Sequence, residues 1–206
     1  MSDDPLDMLS LVDEVQSVAR TGLHYCDNPF DRERYTRLLA AAERAYSDAS
    51  GLAVGAVSER FAADLGYVTA KVGADAAVFD DDNRILLVRR ADDEKWGLIA
   101  GWVDANESPA ETVVREVAEE AGLRARVERL VGVFFRAASA PETPHGTVSV
   151  VYLCSLTGGI MRAQPHEVIQ LAWRNVDDVG AEEWHHHHET LARAALDAHW
   201  QRRAGL

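Results

Sequence analysis

The stretch GWVDANESPAETVVREVAEEAGL, residues 101–123, decides how this 206-residue chain is read. Ser108, Pro109 and Glu111 spell a helix start: a hydroxyl at the N-cap, proline at the first helical position, glutamate three after the cap. Ala110, Val113, Val114, Val117, Ala118 and Ala121 recur at helical spacing and predict one buried apolar stripe. Gly122 falls just past the helix end, where a positive φ is often needed. Glu116, Glu119 and Glu120 lie three and four residues apart, which puts all three carboxylates on one side of the helix, off that stripe.

Clustered carboxylates on a helix are often a solvated face, here partnered by Arg115. They also suit a hard cation, since Mg²⁺ prefers carboxylate oxygens and keeps open positions for phosphate. The whole pattern favours the cation: Gly101, a lone Glu107, Arg115-Glu116, Glu119-Glu120, then Gly122 and the apolar Leu123. This is the Nudix box with every fixed position filled, and the chain resembles the Nudix hydrolases, which split nucleoside diphosphates linked to another group. The resemblance implies an α/β (α+β) fold, an αβα sandwich with a mixed sheet, and a requirement for Mg²⁺ or Mn²⁺. It implies Glu119 and Glu120 as principal metal ligands, Glu116 as a ligand directly or through water, and the Gly101 carbonyl as a further one. Arg115 is expected to pair with a glutamate and hold it, with Glu107 the partner. The Pro-Gly pair that many family members carry at this point is replaced by Leu98-Ile99-Ala100-Gly101.

Working outward, residues 75–79 and 84–90 predict two strands joined by the turn 80–83, and residues 97–103 a strand leading into the box. Beyond it, residues 124–135 predict a strand pair with Gly132 inside. Residues 147–156 predict an apolar strand ended by a turn at 157–159, residues 168–173 another strand, and residues from about 189 to 203 a closing helix. Upstream, residues 1–20 predict a helix ended by Gly22, a second helix capped by Asp31 runs to about Ser47, and a third lies between Val54 and Leu65. The expected domains are therefore a small all-helical one over 1–66 and a Nudix domain over 67–206. The segments TGLHY, FDRERY and GYVTAK resemble a Nudix subfamily with an N-terminal helical extension that hydrolyses X-linked nucleoside diphosphates such as ADP-ribose or CDP-choline. Relatives with such an arm are commonly dimers, so a homodimer is expected.

Composition narrows the partners. The net charge is −13, with 34 acidic against 21 basic residues, which disfavours a nucleic-acid partner because phosphate binding rests on Lys and Arg. No run of about 18 apolar residues predicts a membrane span, and the acidic N-terminus lacks the pattern of a signal peptide. Two distant cysteines, Cys26 and Cys154, are no disulfide framework, so a cytoplasmic protein is expected.

Outside the box, the resemblance makes Glu167 the candidate general base, with Glu142 as a rival; a surface glutamate at a strand end is the other reading. Arg89 and Arg90 leave the strand expected to face the site, and one of them could hold a phosphate bidentately. Phe134, Phe135 and Tyr67 could stack a nucleobase, although aromatics at strand spacing are more often core. The run His185–His188 reads either as a transition-metal tract or as an exposed helix start without a ligand. The function expected is metal-dependent cleavage of an X-linked nucleoside diphosphate to a nucleoside monophosphate and phosphorylated X. The alternatives are a nucleoside triphosphate pyrophosphohydrolase and a nucleotide-sensing domain without catalysis.

Overall fold

A computed structural model describes residues 8–63, 66, 68–104, 106–137 and 146–205. The expectations for Tyr67 and Glu142 lie outside the described residues. The chain divides into two compact units, with the main boundary between Lys71 and Val72.

The first unit holds α1 (Met8–Tyr25), α2 (Pro29–Ser50) and α3 (Val54–Ala62). Val12, Ala19, Leu39, Ala42, Tyr46, Val57 and Phe61 form its core. Two expectations are corrected here. Gly22 does not end α1, which runs on to Tyr25; a Cβ at Gly22 would meet the Tyr35 ring at 2.5 Å, so the glycine serves the packing of α2 on α1. The cap of α2 is Asn28 and not Asp31: its side chain accepts the Phe30 N–H at 2.9 Å, and Pro29 follows it.

The second unit is built on two sheets. One has the order β4-β1-β6-β5 and the other β3-β2-β7. The strands are β1 (Lys71–Val78), β2 (Ile85–Arg90), β3 (Trp96–Gly97), β4 (Ile99–Trp102), β5 (Leu123–Arg136), β6 (Thr147–Gly159) and β7 (Val168–Arg174). Helix α4 (Pro109–Ala121) follows β4, and α5 (His188–Arg203) closes the chain. Alternation along the strands separates two cores. Ala74, Ala76 and Val78 of β1, with Leu86 and Val88 of β2, pack against Val113, Val117 and Ala121 of α4. Ala77, Ile85 and Leu87 turn the other way, onto Leu191, Ala192 and Ala195 of α5. Helices thus cover both faces, an αβα sandwich.

Three strand expectations are corrected. β1 and β2 are not a paired hairpin but join different sheets, with an isolated bridge between Phe79, just past β1, and Ile85. Residues 97–103 are not one strand: the chain breaks at Leu98, β3 pairing antiparallel with β2 and β4 antiparallel with β1. Residues 124–135 are part of one 14-residue strand, β5, and β6 continues through the expected turn to Gly159. A Cβ at Gly159 would sit 2.6 Å from the Gly122 carbonyl, so that glycine permits close backbone approach. Among the described residues no helix is long and apolar enough to cross a membrane.

Helix α4 starts as its sequence predicts. Ser108 Oγ accepts the Glu111 N–H at 3.3 Å and the Glu111 carboxylate accepts the Ser108 N–H at 2.9 Å, a reciprocal box. Gly122 ends the helix at φ 67°. Ser108→Ala is expected to cost about 1 kcal/mol of stability, read as a lower denaturation midpoint at unchanged m-value.

Candidate active site

The buried side of α4 is wider than its apolar stripe. Thr112, Val113, Glu116, Val117, Glu120 and Ala121 are buried, while Val114 and Ala118 face outward. Two adjacent i, i+4 rows therefore face inward, one apolar and one carrying Thr112, Glu116 and Glu120. The carboxylates do stand off the apolar row, but Val114 and Ala118 are not part of that row, and the row carrying Glu116 and Glu120 is buried beside it. Glu116 is 7% exposed and Glu120 is 5% exposed; Glu119 points to solvent.

Arg115 organises the outer half of the site. Its Nε and Nη2 donate to the two Glu107 carboxylate oxygens at 3.0 and 2.9 Å. Its Nη1 donates to Glu116 at 2.7 Å and Glu119 at 3.1 Å, and Nη2 also reaches the Trp102 carbonyl at 3.3 Å. Thr112 Oγ1 donates to Glu107 at 2.8 Å. The hydrogen bonds from Arg115 hold the Glu107 carboxyl down at about 2. Thr112 and the Trp102 carbonyl are partners that the motif alone does not reveal. An open depression of about 460 Å³ beside this group is lined by Asp104, Asn106, Glu107, Glu111 and Arg115. It borders the supporting Glu107–Arg115 pair and not Glu119 or Glu120.

In the inner half burial outweighs the positive charge nearby. Burial pushes the Glu120 carboxyl up to about 8, and the charges of Glu116 and Glu167 add to the effect, while Arg90 and an N–H from Ala100 work against it. Glu120 Oε2 is buried with no hydrogen-bond partner among the described residues. Glu116 is raised too, by burial first, with Arg115 opposing and Glu119 and Glu167 adding to the rise. Gly101 lies against this group, since a Cβ there would run into the Glu116 carboxylate. A buried carboxylate oxygen without a donor, beside further carboxylates and one bare backbone position, fits a divalent cation with oxygen ligands.

Glu167 reaches the group through a loop tied to the end of α4. The Arg162 N–H donates to the Ala121 carbonyl at 2.8 Å, and the Gln164 N–H donates to the Glu120 carbonyl at 3.0 Å. Gln164 Oε1 then accepts the Glu167 N–H at 2.9 Å. Nothing in the sequence marks Gln164, because its role depends on backbone atoms of a different element.

The other expected site residues divide. Arg90 is close enough to Glu120 for their charges to interact, and its guanidinium forks onto Asp92 at 2.9 and 2.7 Å. Arg89 donates to the Glu94 carbonyl and carboxylate instead. Phe135 is 69% exposed near the end of β5, whereas Phe134 packs against the α5-side core. The histidine run is not an exposed tract: its rings touch one another, and burial runs from the exposed His186 to the buried His188. His188 is buried at the start of α5, His185 Nδ1 lies 2.7 Å from an Asp93 oxygen, and both ring nitrogens of His187 are buried without a partner among the described residues. Asp92, Asp93 and His185 bring three ligand-type atoms within 4.8 Å of one another, but Asp92 is taken by Arg90.

Comparison with known proteins decides the family. A family model described as the NUDIX domain matches residues 69–195, and one described as a UDP-X-like N-terminal oligomerisation domain matches residues 7–61. The chain belongs to the NUDIX family. A NUDIX relative from Bacillus subtilis, the putative ADP-ribose pyrophosphatase YjhB, is 33% identical over 152 residues, 73% of each chain. A crystal structure of a UDP-X diphosphatase superposes with TM-score 0.53 at 26% identity, covering 94% of this chain and 95% of that one. An ADP-ribose pyrophosphatase from Streptococcus suis superposes with TM-score 0.52 at 30% identity, covering 64% of this chain and 92% of that one. The chain is thus a NUDIX hydrolase with a NUDIX-type αβα sandwich preceded by helices of the UDP-X-like kind.

Proposed function

We propose that this NUDIX hydrolase cleaves the diphosphate of X-linked nucleoside diphosphates, giving a nucleoside monophosphate and phosphorylated X. The buried, partnerless Glu120 oxygen beside Glu116 is the observation that carries the reading. In this reading Glu120, Glu116 and Glu119, with the Gly101 carbonyl, hold Mg²⁺ or Mn²⁺. The cation, when bound, neutralises charge on the diphosphate and makes a water more acidic. Arg115 keeps Glu116 and Glu119 in place through its bonds to both and to Glu107. Glu167 takes the proton of the attacking water, and the phosphorus–oxygen anhydride bond breaks as the new one forms. Arg90 is better placed than Arg89 to meet a substrate phosphate, because it lies on the carboxylate side. For Phe135, stacking of a nucleobase remains the role proposed.

The activities named for the relatives make ADP-ribose and UDP-linked compounds the first substrates to test, with CDP-alcohols beside them. Release of a nucleoside monophosphate with Mg²⁺ or Mn²⁺ supports the reading; pyrophosphate released preferentially from nucleoside triphosphates refutes it. The domain boundary proposed is 1–66 and 67–206, and the oligomerisation model over residues 7–61 supports a homodimer. Light scattering tests the dimer, and a monomeric mass rejects it. Gly101→Ala places a methyl into the Glu116 carboxylate. An overpacked substitution of this kind is expected to cost about 1–3 kcal/mol, with Mn²⁺ binding weakened in the protein that remains folded.

A further inference from the structure

At Leu98 the chain leaves one sheet for the other, and its N–H falls between the β3–β2 ladder and the β4–β1 ladder. A buried backbone donor must find a partner elsewhere. Here the Leu98 N–H donates to His188 Nδ1 at 3.0 Å, a bond buried in the interior and spanning 90 residues of sequence. With Nδ1 accepting, the imidazole proton sits on Nε2 and the ring is neutral; burial holds its pKa well below the ordinary value. The Asp75 carboxylate oxygen 3.8 Å away is therefore not an ion-pair partner. The preceding residue is a glycine, and a Cβ there would stand 3.0 Å from Nδ1. The same junction grips Trp96, whose carbonyl accepts the His185 N–H at 2.8 Å.

The crossing leads directly into the carboxylate site. Two residues on, the Ala100 N–H faces Glu120 closely enough to favour its charged form, and the next residue, Gly101, lies against Glu116. The four-residue strand that brings Ala100 and Gly101 up against the two buried carboxylates thus has its N-terminal end held by His188 from the opposite face of the sheet. We infer that His188 is a positioning residue for the carboxylate site, acting through the Leu98 N–H and β4. The inference rests on the proposed reading of that site as a cation-binding one.

The test compares wild type with His188→Asn, His188→Gln and His188→Leu, measuring Mn²⁺ affinity by calorimetry or electron paramagnetic resonance, and kcat and KM separately. Asparagine can place an oxygen where Nδ1 stands; glutamine carries its oxygen farther out, and leucine has none. Groups that support metal ligands typically change affinity or activity by about 10- to 100-fold when removed. His188→Leu and His188→Gln are expected to weaken Mn²⁺ binding about tenfold and lower kcat with KM little changed, while His188→Asn stays within about twofold of wild type. Equal losses in His188→Asn and His188→Gln, or wild-type affinity in a folded His188→Leu, would overturn the inference. Should the leucine variant not fold, the asparagine–glutamine comparison decides alone. If wild type itself binds no Mn²⁺ and hydrolyses no substrate, the reading of the site has failed and the inference falls with it.

Discussion

Glu120→Gln is expected to lower turnover about a thousandfold, roughly 4 kcal/mol of transition-state stabilisation, and yet to stabilise the metal-free protein at alkaline pH. The two effects have opposite signs because the same carboxylate is costly without a cation and needed with one. The Glu120 carboxyl is raised to about 8 from an ordinary 4.5 by burial, then by Glu116. A carboxyl raised on folding contributes stability that is fully present below its unfolded pKa and is lost as pH rises through its folded pKa. Glu120 should therefore take stability away from the metal-free wild type as pH rises from about 4.5 to 8. Asp75, raised to about 7 by burial, adds to the decline in the lower part of that window. Glutamine has the same shape and no charge to bury, so the variant loses the Glu120 part of the decline and keeps the parts due to Asp75 and Glu116.

Saturating Mg²⁺ should restore wild type and leave the variant where it was. A cation at a hundred times its dissociation constant contributes about 2.7 kcal/mol to the form that binds it. Melting curves at pH 5 and pH 9, with and without Mg²⁺, read all of this. A Glu120→Gln protein that turns over normally, or that gains as much from Mg²⁺ as wild type does, removes Glu120 from the cation site.

How much of this molecule is legible in its sequence depends on the range of the interactions involved. Helix α4 was legible because its start and stop are local: Ser108 and Glu111 bond each other, and Gly122 adopts its positive φ within the same turn. The partnership of Arg115 with Glu107 was legible only through the family pattern, since eight residues and a loop separate them. The burial of Glu116 and Glu120 was not legible. Their spacing places them on one side of the helix, but only the sheet beneath shows that this side adjoins the apolar row. The break at Leu98 was also hidden, because residues 97–103 read as one strand whichever sheet each half joins. The histidine run misled for a related reason: adjacent histidines look like one feature, yet His185, His187 and His188 differ in burial and partners. His188 belongs to the interior because α5 packs its first turn against the crossing strand.

Glu167→Gln should reduce kcat by about a hundredfold to a thousandfold while Mn²⁺ affinity changes little, as expected for loss of a positioned proton acceptor. The case rests on how the loop is hung. Two backbone bonds fasten residues 162 and 164 to the C-terminal carbonyls of α4, and Gln164 orients the Glu167 N–H. The charge of Glu167 is felt by both Glu116 and Glu120, yet its own side chain is exposed and free to meet a water and a substrate. A base and a ligand differ in what their loss removes. Without the base, metal and substrate still assemble, so KM and Mn²⁺ affinity hold while the chemical step slows. Glu167→Gln with wild-type kcat would return the residue to a surface position at a strand end. A tenfold or larger loss of Mn²⁺ affinity would instead make it a ligand beside Glu120. Gln164→Ala separates position from chemistry, since it leaves the carboxylate in place but frees the loop. It is expected to lower kcat about tenfold or less while keeping the pH profile of wild type.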